Sequence, residues 1–543
     1  MTKNINLSSL SREELEQEYL KLHTEYTSAM AKAAWYEEQF RLSRQKRFGA
    51  SSETGVSGQM SFEDLMLFNE AEALLEPIVK EPDLSSYDKT SSSGPGKKSS
   101  KKKDLKMLPV YEEVFELTPE EQICPTCKSP LHYVKDIVRM EIEILPAVTR
   151  VHRYVSKVYA CRNCEKNKTA SFVTAPGAPV SVIRNSPASP SAIADFLYKK
   201  YVLGTPFYRL EQSYESANIP ITRNNMCHWS IKVAQTYYEP IINRMHDILM
   251  NEAAIHCDET YTEVLHEPDR PATRKSYIWV TATGEYQKEH PIALYNYREG
   301  RSAMDARAVL AGFHGYVMCD GYKSYDAITK TGKHGEPPLP ITLVACMVHV
   351  RRYFVEALKL VKPDDREGTG AQEAVNKIEL IFRIDRTFDT MSPEERYEAR
   401  LKHLKPALDA FFEWAKQESE IALPKSRYGM ALSYALEQRE KVLNVLLDGR
   451  LELQNNLAER TVKPFVIGRK NWLFSDTVRG AKASCIIYSL VETAKLNHLN
   501  PYEYLKYLLE VMPDPNKYTA DKLDDLLPWS DKLPAYIRKP AEK

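Results

Sequence analysis

A series of five apolar segments in the second half of the chain most constrains the fold. AAIHCDET, SYIWVTATG and PIALYNY are rich in β-forming residues, and polar, turn-like stretches separate them. The segment SAMDARAVLAGF then has a helical pattern, and GYVMCDG and ITLVACM follow as further strand candidates. This order of strands, helix, strand, helix and strand predicts an α/β domain with a mixed sheet.

Two acidic residues stand where predicted strands end. Asp258 (HCDET) and Asp320 (MCDGY) each follow a cysteine in an apolar run. Carboxylates at the tips of neighbouring strands can share divalent ions, because Mg²⁺ prefers ionised oxygen ligands. Glu459 in LQNNLAERTVKP is the third candidate, on a helix where Asn455 lies four residues before it on the same face. We expect this helix to end soon afterwards, because Pro464 lacks an N–H.

The spacing of these acids predicts an inserted domain. Asp258 and Asp320 are 62 residues apart, which fits the intervening strands and helix. Asp320 and Glu459 are 139 residues apart, too far for a simple connection. Between about 361 and 450 the apolar residues have a helical period, so we expect an α-helical bundle that either clamps DNA or fills space. The positions that show this period are Leu401, Leu404, Leu408, Phe411 and Ala415.

Four of the nine cysteines form two C-x2-C pairs. They are Cys124 and Cys127 in CPTC, and Cys161 and Cys164 in CRNC. Four thiolates can close a tetrahedral zinc shell with no position left for a substrate, so the pairs predict a structural Zn²⁺ site in a β-rich module at 107–178. The remaining cysteines are scattered, which is typical of a reducing compartment and not of a disulfide framework.

The amino-terminal part of the sequence predicts a helical segment followed by a linker. Apolar and aromatic residues from Leu15 to Phe40 are spaced by threes and fours, which predicts a helical segment within 1–80. A self-associating coiled coil and a helix packed on its own chain both fit this pattern. Residues 81–106 are rich in Ser, Gly, Pro and Lys and predict a flexible linker.

Residues 179–245 predict three short helices with a tight turn before the third, a helix-turn-helix candidate. The third helix would present Arg223, Asn224, Asn225 and His228 to base edges or phosphates. The alternative is a plain helical connector with Met226, Trp229 and Val233 as its buried face.

Further cations surround the predicted acidic site. They are His349, Arg351 and Arg352 (HVRR), together with Arg460, Arg469 and Lys470 near Glu459. These groups would contact DNA phosphates, although each could instead be an ordinary salt-bridge partner. Trp472 could stack on a base or belong to the core. His256 alternates to the other strand face, and we expect it to be packed.

Composition excludes some classes of protein. Lys and Arg number 74 and Asp and Glu number 74, so the formal charge is zero, which excludes a uniformly basic nucleic-acid coat. The chain has no apolar run of the roughly 18–20 residues needed for a membrane helix, and its start lacks the apolar core of a signal peptide. We therefore expect a bacterial cytoplasmic protein with no membrane contact.

Several long motifs occur together in one order. HCDET, CDGYKSYD, HVRRYF, NNLAERTVKPFVIGRKNWLF and LVETAKLNHLNPYEYL follow the cysteine pairs, and RQKRFGASSE lies near the amino end. With these motifs nearly the whole chain except the linker resembles the insertion sequence 66 family of DDE transposases. The resemblance implies a multidomain α/β protein with a ribonuclease-H-like catalytic domain at 246–498 and a small helical domain at 499–543. It also implies the zinc-binding module and the helical amino-terminal segment that precede them.

The same resemblance implies a function. Asp258, Asp320 and Glu459 would be catalytic ligands of Mg²⁺ or Mn²⁺ in two-metal phosphoryl transfer at transposon ends. The partners would be double-stranded DNA (terminal inverted repeats and target), further copies of the chain in a homo-oligomer, and small accessory proteins of the same element. Gln454 departs from the acid that many relatives have there. A catalytically inactive zinc-containing DNA-binding regulator and a related nuclease acting on other nucleic acids are the alternatives.

Overall fold

The computed structural model describes residues 149–160, 172–174, 178–332 and 335–539. The described residues from Arg153 onward belong to one compact unit, and the exposed segment 149–152 belongs to a second one. The predicted amino-terminal helix, the linker and the cysteines of both C-x2-C pairs lie outside the described residues. Within the described part of the chain, no helix is long and apolar enough to cross a membrane.

A six-stranded mixed sheet forms the centre of the unit. Its strands are β3 (Ala254–His266), β4 (Lys275–Thr283), β5 (Ala293–Arg298), β6 (Gly315–Cys319), β7 (Ile341–Ala345) and β8 (Ser475–Thr477). The strand order is β5-β4-β3-β6-β7, and the short β8 lies beside β3. A separate antiparallel pair consists of β1 (Val158–Ala160) and β2 (Phe172–Thr174). The strands β3, β4 and β5 form an antiparallel meander, whereas β6 and β7 run parallel to β3. The predicted α/β class and order of strands are confirmed.

The prediction that β3 ends at Asp258 is wrong. The parallel ladder with β6 stops at His256, but the antiparallel ladder with β4 continues to Glu263. The last residues of β3 then pair with β8. Asp258 therefore lies within a long strand, at the point where the neighbouring strand β6 ends. β3 continues beyond Asp258 because β4 and β8 provide hydrogen-bond partners for its backbone.

In the described part of the chain, four α-helices precede the six-stranded sheet, and the last two are joined by a π-helical turn (Ala234–Tyr238). They are α1 (Pro190–Tyr201), α2 (Phe207–Ser216), α3 (Arg223–Val233) and α4 (Glu239–Leu249). The Ser189 side chain caps α1, which then begins with a proline, and Thr222 caps α3. These helices share one hydrophobic core with the sheet and the carboxy-terminal helices. The apolar face expected for the third helix (Met226, Trp229, Val233) is buried in this core.

Between β5 and the third acid lie two short helices, a long helix and four inserted helices. In order, they are α5 (Ala303–Val309), α6 (Lys323–Ile328), α7 (Met347–Lys359), α8 (Gly370–Arg386), α9 (Pro393–Ala399), α10 (Lys405–Ile421) and α11 (Arg427–Leu443). A π-helical turn (Arg400–Leu404) joins α9 to α10. The helices α7, α8, α10 and α11 enclose a second hydrophobic core that includes Leu404, Leu408, Phe411 and Ala415. Leu401 packs against this core from its edge.

A buried ion pair ties the inserted helices to the chain that returns to the sheet. Asp385 accepts hydrogen bonds from Arg400 Nε at 2.8 Å and from Arg396 at 3.1 Å. Arg400 is fully buried and also donates to the carbonyl oxygen of Leu451 at 2.7 Å. Leu451 lies a few residues before Glu459. This network therefore fixes the position of the segment that leads from the inserted helices to the third acid.

Three helices complete the chain: α12 (Asn456–Trp472), α13 (Val478–Leu496) and α14 (Pro501–Val511). The prediction that the helix carrying Glu459 ends soon after that residue is wrong, because Pro464 lies inside α12. Beyond the proline, Phe465 and Gly468 are buried, and the Phe465 ring packs on Tyr488 at 5.5 Å. This packing stabilises the helix past the missing hydrogen bond.

Lys200 links α1 to the end of α12. Its ammonium group lies 4.0 Å from the Trp472 ring centroid and 4.3 Å from that of Phe207. Trp472 also packs edge-on against Tyr201 at 6.3 Å, and it is half-buried against the hydrophobic core. Burial lowers the pKa of Lys200 to about 8.

Replacing Asp385 with alanine should destabilise the protein by about 3–5 kcal/mol, because two buried guanidinium groups lose their carboxylate. Urea unfolding measures the change. Asp389→Ala, which removes an exposed acid just beyond the same helix, should cost little. Equal losses for the two variants would contradict the anchoring role of Asp385.

Lys200→Met should stabilise the protein near pH 7 by about 1–3 kcal/mol, the burial penalty less the cation–π attraction. The pKa of Lys200 is about 8 in the folded protein and 10.5 in the unfolded chain. Between pH 8 and 10.5 the unfolded chain therefore binds more protons than the folded protein, and the wild-type protein gains stability as the pH rises. The advantage of the variant should therefore shrink as the pH rises through this window. Urea unfolding at pH 7 and 10 tests this, with Lys199→Met as the control. A gain that is the same at both pH values would argue against it.

Candidate active site

The strand register places two of the predicted acids side by side. β3 and β6 pair Ala254 with Tyr316 and His256 with Met318, so the same offset sets Asp258 opposite Asp320, two residues past the last pair. Adjacent strands lie about 4.8 Å apart, and these residues are therefore neighbours. The backbone holds both carboxylates, because Asp258 accepts from the N–H of Glu259 (2.8 Å) and Asp320 from that of Tyr322 (2.9 Å).

Glu459 joins them from the first turn of α12. Its carboxylate lies 3.8 Å from Nε2 of His349 and 3.6 Å from a guanidinium nitrogen of Arg352. Its negative charge also acts on Asp258. The structure thus brings the three predicted acids to one edge of the sheet.

Asn455, the N-cap of α12, ties this helix to the sheet. Its side-chain oxygen accepts a hydrogen bond from Nδ1 of His256 at 2.7 Å. Its amide nitrogen donates to the carbonyl of Cys257 at 3.4 Å, and its backbone N–H donates to the Cys346 sulfur at 3.1 Å. The helix that carries Glu459 therefore starts at a position set by β3 and by the end of β7.

His256 and Glu452 form a buried pair beneath this joint. Nε2 of His256 lies 3.3 Å from a Glu452 oxygen, which also accepts from the N–H of Glu285 at 2.7 Å. Burial opposes protonation, but the Glu452 carboxylate outweighs it and leaves the pKa of His256 above its ordinary value. Burial likewise opposes ionisation of Glu452, yet contact with His256 leaves the pKa of that carboxyl lowered. His256 is a packed residue, as expected, and it supports Asn455.

The electrostatics of the acids favour a bound cation. Burial raises the pKa of Asp258 well above its ordinary value, and the charges of Glu259, Asp320 and Glu459 raise it further. Without a counter-charge, the carboxyl of Asp258 would therefore keep its proton to a higher pH than an ordinary aspartate. Ionised oxygens are the donors that Mg²⁺ and Mn²⁺ prefer, so these residues fit a divalent cation whose charge would offset their repulsion.

Glu259 is a neighbouring acid that the sequence did not single out. It accepts hydrogen bonds from Arg301 at 2.7 Å and from the Tyr325 hydroxyl at 2.8 Å. Burial and the charge of Asp320 raise the pKa of Glu259 to about 7, although Arg301 favours the ionised form. The sequence shows Glu259 directly after Asp258. Because side chains alternate along a strand, adjacent residues point to opposite faces, and Glu259 is therefore not expected beside Asp258.

The inserted helices reach the loop after Asp320. A Cβ at Gly321 would lie 2.5 Å from the hydroxyl of Tyr434 on α11, so this close approach requires glycine. Tyr434 in turn stacks on Tyr353 of α7 at 4.3 Å. The insertion therefore packs directly beside the second acid.

Most of the predicted cations near the acids contact other protein groups. Arg351 pairs with Glu379 at 2.6 Å, and Arg460 pairs with Glu285. Arg469 donates to Thr260 at 3.0 Å and stacks over the Tyr261 ring at 3.8 Å, and Lys470 is half-buried. Arg352 and His349 instead face Glu459.

The candidate recognition residues on α3 differ in exposure and partners. The Arg223 guanidinium is 61% exposed and lies 3.7 Å from Glu211. Asn225 is committed to the helix cap, because its side chain accepts from the N–H of Thr222 at 3.1 Å. Asn224 and His228 are exposed.

Asn455→Ala should lower stability by about 1–3 kcal/mol, because the buried Nδ1–H of His256 loses its acceptor. Chemical denaturation measures the loss. Asn456→Ala is the matched control, since the side chain of Asn456 bonds only locally, to Gln454 at 2.8 Å, and is half-buried. An equal, small effect of the two changes would show that Asn455 does not tie α12 to the sheet.

Comparison with known families gives four matches along the chain. Residues 185–483 match the Transposase IS66 family, and residues 489–529 match the IS66 C-terminal element. Residues 121–165 match the zinc-finger binding domain of transposase IS66, which includes both C-x2-C pairs and supports a structural zinc. Residues 35–112 match the Transposase C of IS166 homeodomain, a match that crosses the boundaries predicted at 80 and 106.

Similar curated proteins occur in Sinorhizobium fredii. The uncharacterized protein y4jD is 29% identical over 434 residues, which cover 79% of this chain and 81% of that protein. The uncharacterized protein y4hP is 26% identical over 418 residues, covering 75% and 73% of the two chains. No solved structure matches. The match to the Transposase IS66 family, over residues 185–483, extends over more than half of this chain. The chain therefore belongs to the IS66 family of transposases.

Proposed function

We propose that this protein catalyses DNA transposition by metal-dependent phosphoryl transfer, cleaving the ends of an insertion sequence and joining them to target DNA. Membership of the transposase family supports the biological role. The convergence of Asp258, Asp320 and Glu459 at one sheet edge supports the chemistry, and it is the observation on which the proposal depends.

These three carboxylates would hold the divalent cations, Mg²⁺ or Mn²⁺. When bound, such ions supply Lewis acidity that activates a water or a 3′-hydroxyl and stabilises the leaving oxygen. The protein contributes orientation. Asp258 and Asp320 are fixed by adjacent strands, and Glu459 by a helix whose start is bonded to β3 through Asn455.

Cationic groups beside the acids would hold the DNA backbone. Arg352 is 40% exposed and lies next to Glu459, where its guanidinium can contact a phosphate oxygen of the reacting strand. Arg223 is exposed on α3 and would also contact DNA phosphates. Zero net charge is compatible with such local contacts.

We propose the finer organisation on the same basis. The mixed sheet with its helical insertion at about 361–450 would be the ribonuclease-H-like catalytic domain of residues 246–498. Residues 179–245 would form a DNA-contacting helical segment, and 499–543 a small helical domain. The chain would act as a cytoplasmic, nucleoid-associated homo-oligomer with accessory proteins of the same element.

Asp258→Asn, Asp320→Asn and Glu459→Gln should each reduce cleavage of the element's end DNA by at least about a hundredfold, because each removes a charged metal ligand. Gel analysis of labelled end DNA with Mg²⁺ or Mn²⁺ measures nicked and joined strands. Glu263→Gln, on the same strand β3, is the control and should retain activity. Chelation of the divalent cations should abolish cleavage by the unaltered protein.

The same assay separates the alternatives. A regulator without catalysis would bind end DNA and never cleave it, and its binding would not depend on the three acids. A nuclease for other nucleic acids would cleave RNA or hybrid duplexes in preference to the element's ends. Cleavage of end DNA that persists in all three variants would refute the proposed site.

A further inference from the structure

A histidine lies beside the third acid, at the start of the helix that follows β7. Cys346, His349 and Glu459 each offer one ligand atom, and these atoms lie within 4.8 Å of one another. They come from three elements that meet at this edge: the residue after β7, the first turn of α7, and the first turn of α12. A sulfur, a nitrogen and an oxygen donor therefore adjoin the carboxylates of Asp258 and Asp320.

The geometry separates the roles of the cysteine and the histidine. The Cys346 sulfur is almost fully buried and accepts the backbone N–H of Asn455 at 3.1 Å, so it already supports the start of α12. His349 is 18% exposed, and its Nε2 lies 3.8 Å from a Glu459 oxygen. Its Nδ1 is buried and has no hydrogen-bond partner among the described residues. At about 2.1 Å from an octahedral ion, two ligands lie about 3.0 Å apart in cis positions and about 4.2 Å apart in trans positions, so a shift of less than about 1 Å would let the imidazole and the carboxylate share a cation.

We propose that His349 is a further ligand of the divalent cation held by Glu459, and that it shifts the preference of the site from Mg²⁺ towards Mn²⁺ and other transition metals. An imidazole nitrogen is a softer donor than a carboxylate and contributes more to binding transition metals than to binding Mg²⁺. The inference rests on the proposed function in one respect, the assignment of Glu459 as a metal ligand.

The proposal predicts a specific change in metal affinity. His349→Ala should weaken Mn²⁺ binding by about 10–100-fold and Mg²⁺ binding less, because the lost donor matters less to the harder ion. Cys346→Ser should leave Mn²⁺ affinity nearly unchanged, since the hydroxyl can still accept from Asn455. His314→Ala removes an exposed imidazole just before β6 and serves as the control.

The experiment uses the full-length protein with one equivalent of Zn²⁺, enough to fill the cysteine pairs, and excess Zn²⁺ is removed so that it does not compete with Mn²⁺ for the site. Titration with Mn²⁺ is followed by the electron paramagnetic resonance signal of the free ion, and competition with Mg²⁺ gives the relative affinities. Thermal unfolding identifies variants that fail to fold, and His349→Gln provides a second, bulkier replacement. Both His349 variants should bind Mn²⁺ more weakly and lose the preference for it.

The outcomes distinguish this inference from the proposed function. If Asp258→Asn and Glu459→Gln weaken Mn²⁺ binding but the His349 variants do not, the carboxylate site stands and His349 is not a ligand. If the His349 variants cleave DNA poorly while their Mn²⁺ affinity is unchanged, the histidine contacts DNA, and the inference is overturned. If no acid variant changes Mn²⁺ affinity, the proposed metal site itself fails.

Discussion

The candidate site depends on the parallel register of β3 and β6, which forces two carboxylates into adjacent positions at a buried sheet edge. Asp258 and Asp320 follow the last paired residues by the same distance, so the backbone ladder sets their proximity. Burial and neighbouring negative charge raise the pKa of Asp258 well above its ordinary value. A divalent cation beside these carboxylates would offset their repulsion and favour their ionised form, so the strand pairing fits the metal-dependent chemistry that we propose.

Glu459 reaches the site only because the chain returns to the sheet after the inserted helices. The polypeptide leaves the sheet after β7, builds a helical bundle with its own hydrophobic core, and must bring Glu459 back to the starting edge. Buried polar contacts make this return specific. Arg400 bonds both Asp385 and the carbonyl of Leu451, and Asn455 bonds both His256 and Cys257. Such contacts are directional, so they define one position for α12 where apolar packing alone would allow several.

The errors of the sequence-based predictions have a common cause. Local rules placed the end of β3 at the acid and the end of α12 soon after Glu459, but partner strands extended β3 and packing against Tyr488 carried the helix past Pro464. Asn225 stays a candidate for contact with DNA, and its side chain also caps its own helix. Glu259 was not selected, because strand alternation places it away from Asp258, and only the fold reveals its contacts with Arg301 and Tyr325.

The sequence alone determined the α/β class, the order of strands and helices and the family, and it singled out the three acids as candidates, because periodicity and motifs are properties of short segments. The tertiary structure decided which residues meet. The link from Asn455 to His256 and the approach of His349 to Glu459 join positions about 100 to 200 residues apart in the chain. Contacts of this kind leave no local pattern, since they arise only when separate elements pack and each buried polar group must find a partner.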